Sequence, residues 1–200
     1  MSALDSSRDA PAPPTDPAPV LPGPRVVADW VFGYGSLIWN PGFEFTESHL
    51  GQVHGYHRAF CIRSTRYRGT PERPGVVLGL DRGGSCIGMA FRLRPEWRAQ
   101  SIDALYEREM TGGVYRPRVL SIVLPDGRRV GALAFVANRG NPSYERLDDR
   151  QIVERLATCG GHRGRNREYA IRTWQALTAR GVHCPHLDRV GRQLLDIDCP

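Results

Sequence analysis

No lysine occurs anywhere in this 200-residue chain; all 27 of its cationic side chains are arginines. Beside 22 glycines and 16 prolines, that bias reads as a property of the coding sequence rather than of a surface selected to bind. A net charge of +6 would suit a nucleic-acid binder. The arginines are nevertheless scattered among acids, as over residues 146–155, so no nucleic-acid partner is expected, although a positive field would still favour a small anionic substrate. No apolar run is long enough to cross a membrane, and the N-terminus has no basic start followed by an apolar stretch. The expectation is a cytoplasmic protein with no membrane partner. There is no CxxC pair, and five irregularly spaced cysteines, Cys61, Cys86, Cys159, Cys184 and Cys199, make no disulfide framework. Reduced thiols in a reducing compartment fit them best.

The length suits one domain with a proper core. Residues 1–27 read as a disordered tail, because the stretch from Ala10 to Pro24 is crowded with proline and alanine and has almost nothing large to bury. The folded domain is expected over 28–200. Residues 30–32 read as a short buried strand running into the turn Gly33-Tyr34-Gly35-Ser36, and 52–62 as a second strand. Residues 76–80 and 86–93 read as two strands joined by a hairpin turn at Asp81-Arg82-Gly83-Gly84. Residues 119–124 and 130–137 form another hairpin around Pro125-Asp126-Gly127. Helices are expected over 95–110, with Pro95 in its first turn, and over 148–158, capped by Asp148 or Asp149. A third runs from a capping Asn166 to Arg180, and a short one follows Asp188. Sequential, hairpin-linked strands point to an α+β fold with an antiparallel or mixed sheet, perhaps closed as a barrel, and helices packed outside it.

The most informative residue is Glu109. Ile102, Leu105 and Tyr106 define the apolar face of the first helix, and Glu109, four residues after Leu105, falls inside that arc, whereas Glu107 and Arg108 point away from it. A carboxylate facing the core is either paired or desolvated with a raised pKa, and a raised pKa makes a better proton acceptor near neutral pH. A structural buried acid would satisfy the same pattern. Two flanking glycine segments favour chemistry. Gly112-Gly113-Val114-Tyr115 stops the helix and lets a ligand approach. Val31, Phe32, Gly33, Tyr34, Gly35, Ser36 and Leu37 form a strand end whose backbone N–H groups can converge on a carboxylate or an oxyanion.

The motifs V-F-G-Y-G-S-L-I-W (31–39), S-T-R-Y-R-G-T-P-E-R-P-G (64–75), L-Y-E-R-E-M (105–110) and G-R-N-R-E-Y (164–169) occur in order. With them the chain closely resembles the ChaC family of γ-glutamylcyclotransferases over about residues 29–180. The resemblance implies a γ-glutamylcyclotransferase-like small mixed β-barrel with surrounding helices. It implies cleavage of glutathione to 5-oxoproline and Cys-Gly, with the catalytic Glu at Glu109 and the γ-glutamyl group held by the loop 31–37. The Pro-rich tail and residues 182–200 match nothing in the family pattern, and the Glu109-to-Tyr115 link varies in length among relatives. Tyr169 and Tyr115 are candidates to hydrogen-bond substrate, and Arg63 or Arg116 to pair with its carboxylates. The chemistry calls for no cofactor and no metal, and the sequence sets no oligomeric state; a monomer suffices.

Three other patterns fall short of their requirements. A dinucleotide loop needs a third glycine where Ile38 stands. Ser36 lacks the G-x-S-x-G elbow of a hydrolase. His183-Cys184-Pro185-His186 has no second ligand pair at metal-site spacing. Two rivals remain: a cyclotransferase acting on other γ-glutamyl amines or amino acids, and a non-catalytic basic module that binds nucleic acid or protein.

Overall fold

A computed structural model describes residues 25–197. Most of the expected tail therefore lies outside the described residues. Arg25 and Val26, at its end, run along the first helix: Arg25 pairs with Asp103, and the Val26 N–H donates to the Tyr106 hydroxyl at 2.9 Å.

The architecture is α+β, as expected. Five strands close a barrel: β1 (Trp30–Gly33), β2 (Phe45–Ser64), β3 (Gly75–Leu93), β4 (Tyr115–Val123) and β5 (Arg129–Ala137), in the order β1-β3-β2-β4-β5. Neighbours are antiparallel except that β5 runs parallel to β1 and touches β3 in parallel at Leu80↔Val136, which closes the barrel. Four helices surround it: α1 (Arg98–Glu109), α2 (Asp149–Thr158), α3 (Asn166–Thr178) and α4 (Pro185–Asp196), with a two-residue hairpin, β6 (Gly160–Gly161) and β7 (Gly164–Arg165), before α3.

Strand alternation sorts the core into two. Trp30 and Phe32 of β1, and Ala132 and Ala134 of β5, face an interior continuous with Leu156, Leu177 and Leu194 of the outer helices. Val31, Leu133 and Phe135 face the other way, onto Ile102, Leu105 and Tyr106 of α1. Each fully buried Leu or Ile of this kind stabilises the fold by about 1.5–3 kcal/mol.

Three sequence expectations are corrected. The hairpin turn at 81–84 does not exist: β3 runs straight through it, with Asp81 paired to His57 and Ser85 to His54. Gly83 (φ 101°) and Gly84 (φ 70°) lie across the ribbon from Gly55 (φ 82°). Left-handed glycines on both strands bend the ribbon and shift its register instead of reversing the chain. Asn166 is the first residue of α3 rather than its cap, and its side chain is engaged elsewhere. The last helix begins at Pro185, ahead of Asp188. The α2 cap, by contrast, is the expected one: Asp148 accepts from Gln151 N and the Gln151 side chain returns the bond.

Candidate active site

The barrel is incomplete along one edge of β3. Val77 and Leu78 pair with β2 on one side, but on the other β5 meets β3 only at Leu80. The edge groups of Val76 and Leu78 are satisfied by side chains. The Asn166 amide closes both bonds of Val76, accepting from its N–H at 2.7 Å and donating to its carbonyl at 2.8 Å. The Leu78 N–H donates to the Tyr169 hydroxyl at 3.0 Å, and the Tyr115 hydroxyl donates to the Leu78 carbonyl at 2.8 Å. Three side chains stand where a strand would be, and a pocket opens beside them.

That pocket is lined by Phe32, Tyr34, Gly35, Ser36 and Leu37 from the end of β1 and the loop after it, Leu78 of β3, Glu109 of α1, Tyr115 of β4, Phe135 of β5 and Tyr169 of α3. The loop is held from three directions. Its single 3-10 turn, Ser36–Ile38, receives N–H groups from Ile38, Trp39 and Asn40. The buried Arg58 donates to the Tyr34 carbonyl at 2.5 Å, and Trp39 donates to Thr173 of α3 at 3.0 Å. The N–H groups of Gly35, Ser36 and Leu37 are not donors in the turn. A side chain at Gly35 would put a Cβ 3.3 Å from the Tyr169 hydroxyl, so glycine is what lets the loop backbone and Tyr169 meet.

Glu109 is the last residue of α1, and its side chain is 17 % exposed. Burial pushes its carboxyl above the ordinary value, against the pull of Arg108 and, more weakly, Arg163. The Arg108 Nε lies 3.1 Å from Glu109 Oε1. Burial, with Glu109's charge adding to it, also raises the Tyr34, Tyr115 and Tyr169 hydroxyls, so all three stay protonated at neutral pH.

The three hydroxyls differ in what they offer the pocket. Tyr34 donates to the Phe135 carbonyl at 2.6 Å and Tyr115 to that of Leu78. Their protons are committed, so toward a ligand they can only accept, and the Tyr34 oxygen already takes a backbone hydrogen bond from Leu80. Tyr169 accepts from Leu78 N–H and keeps its own proton to give.

The structure thus brings together Glu109, Phe32, Tyr34, Gly35, Ser36, Leu37 and Tyr169 of the expected set. Val31 and Gly33 stand outside the lining. Val31 is fully buried and alternation turns it toward α1, while a Cβ at Gly33 would run into that of Leu37. Arg63 and Arg116 are exposed and line nothing here. Arg108, expected to point away, instead reaches back beneath the loop. Its only sequence signal was adjacency to Glu109.

A family profile described as ChaC-like protein matches residues 29–195. The chain belongs to the ChaC family. Among its ChaC relatives, the glutathione-specific γ-glutamylcyclotransferase of Escherichia coli K12 is 43 % identical over 154 residues, 76 % of this chain and 67 % of that protein. Glutathione-specific γ-glutamylcyclotransferase 1 of the mouse is 34 % identical over 182 residues, covering 86 % and 82 %. The crystal structure of a yeast γ-glutamylcyclotransferase specific to glutathione superposes with a TM-score of 0.75 at 22 % identity, covering 85 % of this chain and 96 % of the other, which establishes a shared fold. Among the described residues no helix is long and apolar enough to cross a membrane.

Proposed function

We propose that this ChaC-family chain is a glutathione-specific γ-glutamylcyclotransferase in which Glu109 is both base and acid. The observation that carries the reading is a buried carboxylate with a raised pKa in the wall of a pocket whose other walls are a glycine loop and three oriented tyrosines. The names of the E. coli and mouse relatives supply the substrate.

In the reaction, the α-amine of the γ-glutamyl group attacks its own γ-carbonyl. A bond forms between that nitrogen and the γ-carbon, the bond from the γ-carbon to the cysteine nitrogen breaks, and the products are 5-oxoproline and Cys-Gly. Nucleophile and electrophile belong to one molecule, so the pocket's task is to fold it into a near-attack shape. The amine must first lose a proton. Glu109 takes it and returns it to the leaving cysteine nitrogen as the C–N bond breaks; the ring nitrogen, cationic after attack, sheds its second proton by the same relay, so Cys-Gly departs with both. Tyr34 and Tyr115, which offer lone pairs, suit the amine. The Tyr169 proton and the N–H groups of Gly35, Ser36 and Leu37 are the donors for the two anionic groups, the α-carboxylate and the developing oxyanion. No step calls on a metal or redox carrier.

The catalytic unit is taken as residues 28–200 of a single chain. A cytoplasmic location is supported by the free thiols of Cys61, Cys86, Cys159 and Cys184 and by a substrate that belongs to a reducing compartment.

The test is to incubate the purified chain with glutathione, and separately with γ-glutamyl-alanine, and to detect 5-oxoproline and the released amine by mass spectrometry. Release of Cys-Gly from glutathione, with little turnover of γ-glutamyl-alanine, is expected. Turnover of γ-glutamyl-alanine alone would keep the mechanism and change the substrate. No turnover of either would overturn the reading.

A further inference from the structure

Arg108 is the residue that the pocket's chemistry has not yet used. Its side chain is as buried as that of Glu109, 17 % exposed, although it sits in the last turn of a helix. One guanidinium makes contacts to two different elements. Nε faces Glu109 Oε1 at 3.1 Å. One terminal nitrogen donates to Ser36 Oγ at 2.8 Å, and the other to the Asn40 carbonyl at 2.9 Å and, more distantly, to that of Pro41 at 3.4 Å. Ser36 and Asn40 bracket the 3-10 turn of the glycine loop.

We propose that Arg108 is a positioning residue for the reaction, a strut that fixes the Glu109 carboxylate against the glycine loop and holds that loop at the distance the substrate requires. The inference rests on the reading of Glu109 as the catalytic base. The chemistry calls for arginine specifically. A planar fork can direct one edge at a carboxylate and the other at a hydroxyl and a carbonyl, whereas an ammonium is a point charge that cannot span them. A purely structural alternative exists, since a cation in the last turn of a helix favours the helix dipole. That role would be filled by any cation and would leave the chemistry untouched.

The charged and titratable groups around Glu109 come from every side of the pocket: Arg108 on α1, Arg163 in the turn between β6 and β7, Tyr34 after β1, Tyr115 on β4 and Tyr169 on α3. The tyrosines stay neutral, so the two arginines are the groups opposing burial, Arg108 the stronger. Removing Arg108 therefore moves the ionisation of Glu109 upward, and less of the base is ready at neutral pH.

The test compares Arg108→Met, Arg108→Lys and Ser36→Ala with Glu109→Gln in the full chain, measuring kcat and KM for glutathione from pH 5 to 9, with thermal melts to confirm folding. Arg108→Met is expected to move the acidic limb of kcat/KM up by about one pH unit, the lower end of what an adjacent opposite charge contributes, and to lower kcat about tenfold at neutral pH. Arg108→Lys is expected to leave the limb near its wild-type position while KM rises severalfold, because the charge stays and the fork is lost. Ser36→Ala should raise KM without moving the limb. A folded Arg108→Met enzyme with the wild-type limb and kcat would overturn the proposal. Should that variant fail to fold, an Arg108→Lys enzyme with unchanged KM and profile overturns it equally. If Glu109→Gln keeps wild-type activity, the base assignment itself fails; if Glu109→Gln is inactive and the Arg108 variants are normal, only the strut fails.

Discussion

Two largely covered acids, Asp81 and Glu109, are set apart by their surroundings. Asp81, 6 % exposed, sits where the β2–β3 ribbon bends. Arg139 grips both its oxygens, at 2.6 and 3.0 Å, the Tyr144 hydroxyl adds a bond at 2.9 Å, and the Arg82 N–H another at 2.9 Å. Burial alone would raise its pKa, but these donors together outweigh burial and hold the carboxyl below its ordinary value. Glu109 has a single arginine beside it, and burial prevails. Both acids face arginine from a largely buried position. The number of hydrogen bonds directed at the carboxylate decides which becomes a fixed anion that ties down a loop and which stays able to exchange a proton.

The sharpest break in that comparison is Glu109→Gln. It should lower kcat on glutathione by about 10²–10⁴-fold, the range of a positioned acid–base group, while thermal melts show a protein at least as stable as the parent. Asp81→Asn should do the reverse. Losing charge-assisted bonds from Arg139 and Tyr144 should cost about 2 kcal/mol in a denaturant titration, with the pH profile of turnover unmoved; a shifted profile would mean the two acids are coupled.

The tyrosines sharpen the contrast further. Tyr169→Phe removes the pocket tyrosine that keeps a proton to give and should lower kcat/KM about tenfold, equivalent to roughly 1.4 kcal/mol, beside the stability lost by leaving the Leu78 N–H without its acceptor. Tyr34→Phe, which strands the Phe135 carbonyl, should show itself mainly as lost stability, about 1–3 kcal/mol. A larger loss of kcat/KM from Tyr34→Phe than from Tyr169→Phe would invert the donor and acceptor assignment.

The smallest effect is in the pH dependence of stability. Asp81 binds its proton more weakly when folded, so its contribution is present above the unfolded value near 3.8 and is lost as pH falls through the lower folded one. Glu109 has the opposite sign. Its folded state holds the proton more tightly, so native stability declines as pH rises from about 4.5 through the raised value. The stability gap between Glu109→Gln and the parent should therefore open with rising pH across that window and close below it. A gap independent of pH would show that Glu109 is solvated after all.

Much of this was legible in the chain. Glu109 announced itself because helical periodicity is local: Ile102, Leu105 and Tyr106 define a face within a few residues of it. The loop 31–37 was readable as a unit, though its alternation separates Val31 from the pocket. What stayed hidden depends on distance along the chain or on side-chain reach. Arg108 is turned away from Glu109 on a helical wheel, and only its length lets it curl back to the loop. Asn166 looks like a cap to any local reading, because its partner, Val76, is 90 residues away. The Gly83-Gly84 pair permits a reversal and a bend equally well, and the choice is made by continuous pairing with β2.

The side chains that stand in for a strand beside Val76 and Leu78 have a bearing on how this protein fails. An uncovered strand edge is a template on which other chains assemble, and here Asn166, Tyr169 and Tyr115 are the cover. A substitution at Tyr115 or Tyr169 strips backbone groups bare at the same stroke as it alters the pocket, and one at Asn166 bares both groups of Val76. Lesions at this seam would thus be expected to surface as insoluble protein as well as slow enzyme.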